Sequence, residues 1–187
     1  MKIKLRKFKI VKSTNDVAIK LIKKKIIEPT MIITQKQTNG RGTIGKKWVS
    51  KKGNLFFSLF FKINQKKINF RQFAILNAFL LKKLISEKIS KKIKIKWPND
   101  LTHNKLKFCG ILQETIKFNQ QDYLIVGVGL NTNLAPQNKH FKSTCLKNIV
   151  KKKINNLQLL RNILTTYKKF LGEIKRLSFS ELKKKYR

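Results

Sequence analysis

Three short stretches of this 187-residue chain concentrate side chains able to handle anions: TNGRGTIG at residues 38–45, KWPND at 96–100 and KFCGILQE at 107–114. In the first, Gly40, Gly42 and Gly45 let backbone N–H groups approach a bound anion, and Arg41 adds a planar guanidinium that can grip two oxygens. The loop lacks the GKS or GKT ending of a P-loop and the GxGxxG spacing of a dinucleotide fold, so neither label fits. Glycine-rich anion loops are common. What points to an enzyme is the combination of the three stretches.

The elements that must position these stretches follow from hydrophobic periodicity. Residues 3–11 alternate apolar with basic side chains and predict a half-buried strand. Ser13 and Asp16 have capping-box-like spacing at the start of a helix reaching about residue 25. A short strand at 31–36 feeds the glycine loop, and the apolar run 54–62 predicts a strand buried on both faces. Apolar positions 70, 73, 74, 80, 81 and 84 share one face of a helix over 70–85. Ile93, Ile95 and Trp97 alternate with Lys in a strand that stops at Pro98, where a ladder donor is missing. Strands at 108–116 and 123–130, joined by a polar turn near 119–121, predict an antiparallel pair. A helical stripe at 157, 160, 164, 167 and 171 is interrupted at Gly172, and 178–185 predicts a last short helix. The expected class is α+β, a largely antiparallel or mixed sheet covered by helices, in one domain spanning 1–187.

Composition narrows the function. The net charge is +37, from 39 Lys and 6 Arg against 8 acidic residues. A reader of nucleic acid concentrates Arg on one face, whereas these lysines are spread along the chain; the charge reads mostly as compositional bias, with no specific nucleic-acid partner. A non-catalytic basic nucleic-acid binder is the alternative of a different class, but it leaves the three motifs unexplained. Cys109 and Cys145 make no disulfide scaffold, and His103 and His140 have no metal-site spacing, so no protein-held metal is expected. There is no signal-peptide core and no 18-residue apolar run, so a membrane span is excluded on length, no membrane partner is expected, and a reduced cytoplasm is the simplest location.

Taken together, STND at 13–16, QTNGRGTIGKKW at 37–48, GNLFFS at 53–58, KWPND, KFCGILQE and VGVGLN at 126–131 resemble the biotin–protein ligase family, over roughly residues 8–133. The resemblance implies the lipoate-ligase and class II synthetase-like fold. It also implies an activity: biotin and ATP give biotinyl-5′-AMP, and biotin passes to a lysine of a biotin carboxyl carrier domain. By motif position, Ser13, Thr14 and Asn15 would lie at the biotin pocket and Gln37 near the ureido ring. The backbone of Gly40 and Gly42, with Arg41, would hold carboxylate and phosphate. Lys107 would be the central catalytic lysine. Asn99, Asp100 and Asn131 would serve the ATP, Trp48 would pack near adenine, and Gly110, Leu112 and Gly127 would floor the pocket. Glu114 is a second candidate for a polar contact to ATP or its Mg²⁺, which the phosphates would mainly hold. A lipoate or octanoate ligase is the nearest alternative.

Several consequences follow from the resemblance. Family members usually carry a second loop arginine where this chain has Thr43, which implies weaker retention of the adenylate. The chain shows neither a helix-turn-helix extension nor a C-terminal β-barrel, so repression is not expected. A homodimer through a sheet edge is compatible with the family. The loop at 38–47 is expected to be mobile without ligand and ordered by anions.

Overall fold

The computed structural model describes residues 2–137 and 142–187; His140 lies outside them. Its strands are β1 (Lys4–Val11), β2 (Thr30–Gln37), β3 (Leu55–Ile63), β4 (Ile93–Lys96), β5 (Asp100–His103), β6 (Leu106–Phe118) and β7 (Gln121–Leu130). Its helices are α1 (Thr14–Lys23), α2 (Phe70–Lys88), α3 (Leu146–Val150), α4 (Asn156–Glu173) and α5 (Phe179–Tyr186). The strands form one sheet in the order β1-β2-β3-β7-β6-β5-β4. Only β1 and β2 run parallel, because α1 carries the chain back between them; the other neighbours are antiparallel. The sheet is therefore mixed, as its sequence pattern predicts.

Alternation along β3 decides what each face holds. Leu55, Phe57, Leu59, Phe61 and Ile63 point into the large core beneath α2, α4 and α5, together with Leu124, Val126, Val128 and Leu130 of β7. Phe60 faces the other way, with Ile32, Tyr123 and Ile125, against Ala18 and Ile22 of α1. Both faces are covered, which is why β3 reads as a continuous apolar run.

Three expectations are corrected. The first strand is exposed along nearly its whole length, not half-buried. It is the sheet edge, beyond the cover of α1, and its basic side chains guard that edge against pairing with another chain. Ser13 is the N-cap residue of α1 but makes no side-chain cap hydrogen bond, and Asp16 is engaged elsewhere. Gly172 does not interrupt α4, which runs on to Glu173. Two elements were missing from the sequence reading: β5, only four residues long, and the single-turn α3.

The end of α4 is tied to α5 by Glu173, which accepts from Lys185 Nζ at 2.8 Å and Tyr186 OH at 2.7 Å. Burial alone would raise its pKa, but these two donors outweigh burial and hold the carboxyl below the ordinary 4.5. A depressed folded value means that the contribution is complete above about pH 4.5 and is lost as pH falls through the folded value. Glu173→Gln is expected to lower stability at neutral pH by roughly 1–2 kcal/mol and to flatten this acid limb. Urea midpoints measured across that range check it; an unchanged limb would remove Glu173 from the account.

Candidate active site

The period-2 alternation that sends β6 and β7 side chains into the core also sets the opposite face. Gly110, Leu112 and Glu114 of β6 and Gly127 and Gly129 of β7 share the face on which α1 lies. Register makes these residues neighbours: Gly110 pairs with Gly129, Leu112 with Gly127, and Ser58 of β3 with Gly127 from the other side. Two glycines directly opposite each other leave a flat patch of bare backbone in an otherwise crowded sheet.

The N-terminus of α1 meets that face through buried polar contacts. Ser58 Oγ donates to Asn15 Oδ1 at 2.5 Å and lies 2.7 Å from Thr14 Oγ1. Gln37, at the end of β2, accepts through Oε1 from Thr14 N at 2.8 Å and from Thr14 Oγ1 at 3.1 Å, and its Nε2 donates to Ser50 Oγ. Asn15 fits only because residue 127 is glycine: a Cβ there would lie 2.2 Å from Asn15 Oδ1. Buried polar groups hold one conformation when every member is satisfied, and this network locks the amides of Asn15 and Gln37.

Opposite this network, the glycine loop folds as a small hairpin. Arg41 pairs with Lys47, Gly42 N donates to Lys46 O at 2.6 Å, and Ile44 and Gly45 form the tip at φ 54° and 68°. Both positive φ values mark an I′-type turn, which suits Gly45 and strains Ile44. At residue 40 a Cβ would sit 2.6 Å from the Trp48 carbonyl oxygen, so only glycine permits this close backbone approach.

Two cations reach the pocket, and each is held by carboxylates. Arg41 donates to both oxygens of Glu114 at 2.8 Å and lies 2.9 Å from Asp16. Glu114 Oε2 also accepts from Asn15 Nδ2 at 2.6 Å, so one carboxylate joins the loop to the polar network. Lys107 Nζ lies 2.7 Å from Asp100 Oδ1 and 5.3 Å from the centre of the Trp48 ring. Three of the chain's eight acidic residues are gathered here, in a protein otherwise overwhelmingly basic. That concentration orients the cations.

The Trp48 ring lies on the flat glycine patch: a Cβ at Gly110 or Gly129 would come within 2.6 or 2.2 Å of it. With the ring there, the cavity is about 70 Å³, well below the roughly 300–1,000 Å³ of small-molecule sites. Any substantial ligand on this face requires Trp48 to move.

Of the residues singled out in the sequence, Ser13, Thr14, Asn15, Gln37, Arg41, Gly42, Trp48, Asn99, Lys107, Gly110, Leu112 and Gly127 line this one pocket. Gly40 and Asp100 stand just behind it, the first under Trp48 and the second on Lys107. Asn131 does not line it: its Nδ2 donates to Thr144 O and its backbone ties β7 to α3. Some contacts differ from expectation. The terminal nitrogens of Arg41 are occupied by the carboxylates of Glu114 and Asp16 and the Gly42 N–H by the Lys46 carbonyl, so neither is open to a ligand anion in this state. Glu114 meets Arg41 and Asn15.

The biotin/lipoate A/B protein ligase family matches residues 7–131. The chain belongs to the biotin/lipoate A/B protein ligase family. It is 30% identical over 166 residues to the bifunctional ligase/repressor BirA of Bacillus subtilis, covering 86% of this chain and 51% of that protein. The chain thus spans about half the length of this curated relative. Among solved structures, biotin protein ligase from Aquifex aeolicus in complex with biotin and ATP superposes with a TM-score of 0.81 at 30% identity, covering 98% of this chain and 76% of that one. A P. falciparum structure in complex with lipoate gives a TM-score of 0.59 at 14% identity, which shows the fold alone. The mixed sheet is thus the class II synthetase-like fold of this family.

Three residues of this family member's site were absent from the predicted set: Ser58, Gly129 and Asp16. Gly129 was within reach, because it belongs to the quoted VGVGLN stretch and alternates with Gly127. Ser58 carried one signal, a lone hydroxyl in the apolar run LFFSLFFK.

Proposed function

We propose that this chain is a biotin–protein ligase, joining biotin to ATP and passing it to a lysine of a biotin carboxyl carrier domain. One observation carries the reading: Lys107, a glycine floor and the locked Thr14–Asn15–Gln37–Ser58 network converge on one pocket, in an order of motifs shared with ligases. In the first step a biotin carboxylate oxygen attacks the α-phosphorus of ATP, and the bond to the β-phosphate breaks, releasing pyrophosphate. In the second a deprotonated lysine amine attacks the acyl carbon, forming C–N while the bond to the phosphate oxygen breaks and AMP leaves. The mixed anhydride must be shielded from water between the steps.

The chain's residues divide this work. Ser13, Thr14, Asn15 and Gln37 offer fixed polar groups to the ureido ring, and Gly110, Leu112 and Gly127 let the bicycle lie against the sheet. Lys107 cancels charge where carboxylate and α-phosphate meet. Arg41 supports that cancellation once an anion competes for its donors, and Asn99 and Asp100 flank the nucleotide. Asn131 acts through the β7–α3 connection. Magnesium enters as part of the nucleotide substrate, on the phosphates. No helix among the described residues is long and apolar enough to cross a membrane, which accords with a cytoplasmic enzyme.

The test is pyrophosphate release on adding biotin and MgATP, with lipoate in parallel. Release driven by biotin supports the proposal; release driven by lipoate alone moves the chain to the lipoate branch of the family. Thr43 lines the same pocket. Its hydroxyl brings no charge, so Thr43→Arg is expected to slow escape of biotinyl-5′-AMP about tenfold, the lower end for one charge-assisted contact. Equal release from both forms would show that Lys46 or Lys47 already supplies the charge.

A further inference from the structure

A second opening lies round the rim of the reaction pocket, between the first turns of α2 and the β4–β5 connection. Its volume is about 400 Å³, and its walls include Phe70, Ala74, Ile75, Trp97, Pro98 and Ile111. Trp97 is 52% exposed and packs T-shaped with Phe79, the ring centroids 5.7 Å apart. In a chain of net charge +37, an apolar hollow of this size open to solvent calls for an occupant.

The polar side chains at its margin point to what that occupant is. Asn99 Nδ2 donates to Ile111 O, and Gln113 is held between Asn77 and the Phe70 carbonyl. Both ends of the Gln113 amide and the Nδ2 of Asn99 are committed internally, so the hollow offers few directional contacts to a small polar ligand. It suits apolar side chains whose position is fixed from elsewhere. That fixing is available, because Thr43, Asn99 and Ile111 line both this hollow and the reaction pocket.

We propose that this groove docks the protein substrate, seating apolar side chains next to the target lysine while that lysine enters the reaction pocket past Thr43 and Asn99. The inference rests on the ligase reading. The lysine needs a route to the acyl carbon, and the wall shared by the two cavities is where the groove meets the reaction pocket. Arg71, exposed on the rim of a chain of net charge +37, favours an acidic face on the carrier domain.

Two variants outside the reaction pocket test this: Ala74→Trp, which fills the groove from a half-buried helix position, and Arg71→Glu, which reverses the rim charge. Three readouts are compared: pyrophosphate release without carrier, trapping of the adenylate by hydroxylamine, and biotin transfer to a purified biotin carboxyl carrier domain. The first two are expected to stay unchanged, while KM for the carrier rises about tenfold, as for loss of one interface anchor. Unchanged carrier KM in both variants would overturn the groove. Parallel loss of hydroxylamine trapping would overturn it too, by making the groove part of the adenylation site. Absence of biotin-dependent pyrophosphate release in the unaltered chain would instead overturn the ligase reading.

Discussion

Lys107→Ala is expected to cut biotin-dependent pyrophosphate release by about 10²–10³-fold, the usual cost of removing one donor aimed at developing negative charge. The first step forces two anions together, and Lys107 is the cation the fold fixes beside the glycine floor. Its ammonium stands 2.7 Å from Asp100 and 5.3 Å from the Trp48 ring centre. Asp100 is mostly buried, so alanine at 107 also strands a carboxylate and is expected to lower the melting temperature. The double variant Asp100→Asn/Lys107→Ala removes that stranded charge. It is expected to regain stability without regaining activity, which separates the two effects. Release within a few-fold of the unaltered chain in Lys107→Ala would take Lys107 out of the mechanism.

Loss of Glu114 should come second in size. This carboxylate accepts from both terminal nitrogens of Arg41 at 2.8 Å and from Asn15 at 2.6 Å, joining the glycine loop to the buried network under α1. Hydrogen bonds to charged groups contribute about 1.5–3 kcal/mol, so Glu114→Ala is expected to lower kcat/KM for biotin by about 10–150-fold. Glu114→Gln keeps one acceptor and should fall between. Arg41→Ala combined with Glu114→Ala should cost less than the sum of the single changes, because either one already removes the bidentate contact they share. Fully additive losses would show that they work separately.

Much of this molecule is legible in its residues. The apolar run at β3, the helical stripes of α2 and α4 and the polar turn between β6 and β7 all depend on local periodicity and turn chemistry, which a linear chain carries in full. The turn reaches further. Asn119 and Gln120 take positive φ and pair Phe118 with Gln121, and that register alone places Gly110 opposite Gly129. The glycine loop, KWPND and KFCGILQE likewise converge on one pocket as their chemistry suggests.

What only the tertiary structure decided is partnership between segments far apart in the chain. No local rule places Ser58 beneath Thr14 and Asn15, because that depends on β3 pairing with β7 while α1 crosses over both. Likewise, nothing in KFCGILQE says that Glu114 serves Arg41, 73 residues away. The exposure of β1 was illegible for the same reason. Alternation specifies two faces for a strand, but the neighbours that cover a face come from strand order, and β1 fell at the edge. Side-chain type and spacing fix which groups can do chemistry; the order of strands in the sheet fixes which of them meet, because contacts across the sheet join residues that sequence separation keeps apart.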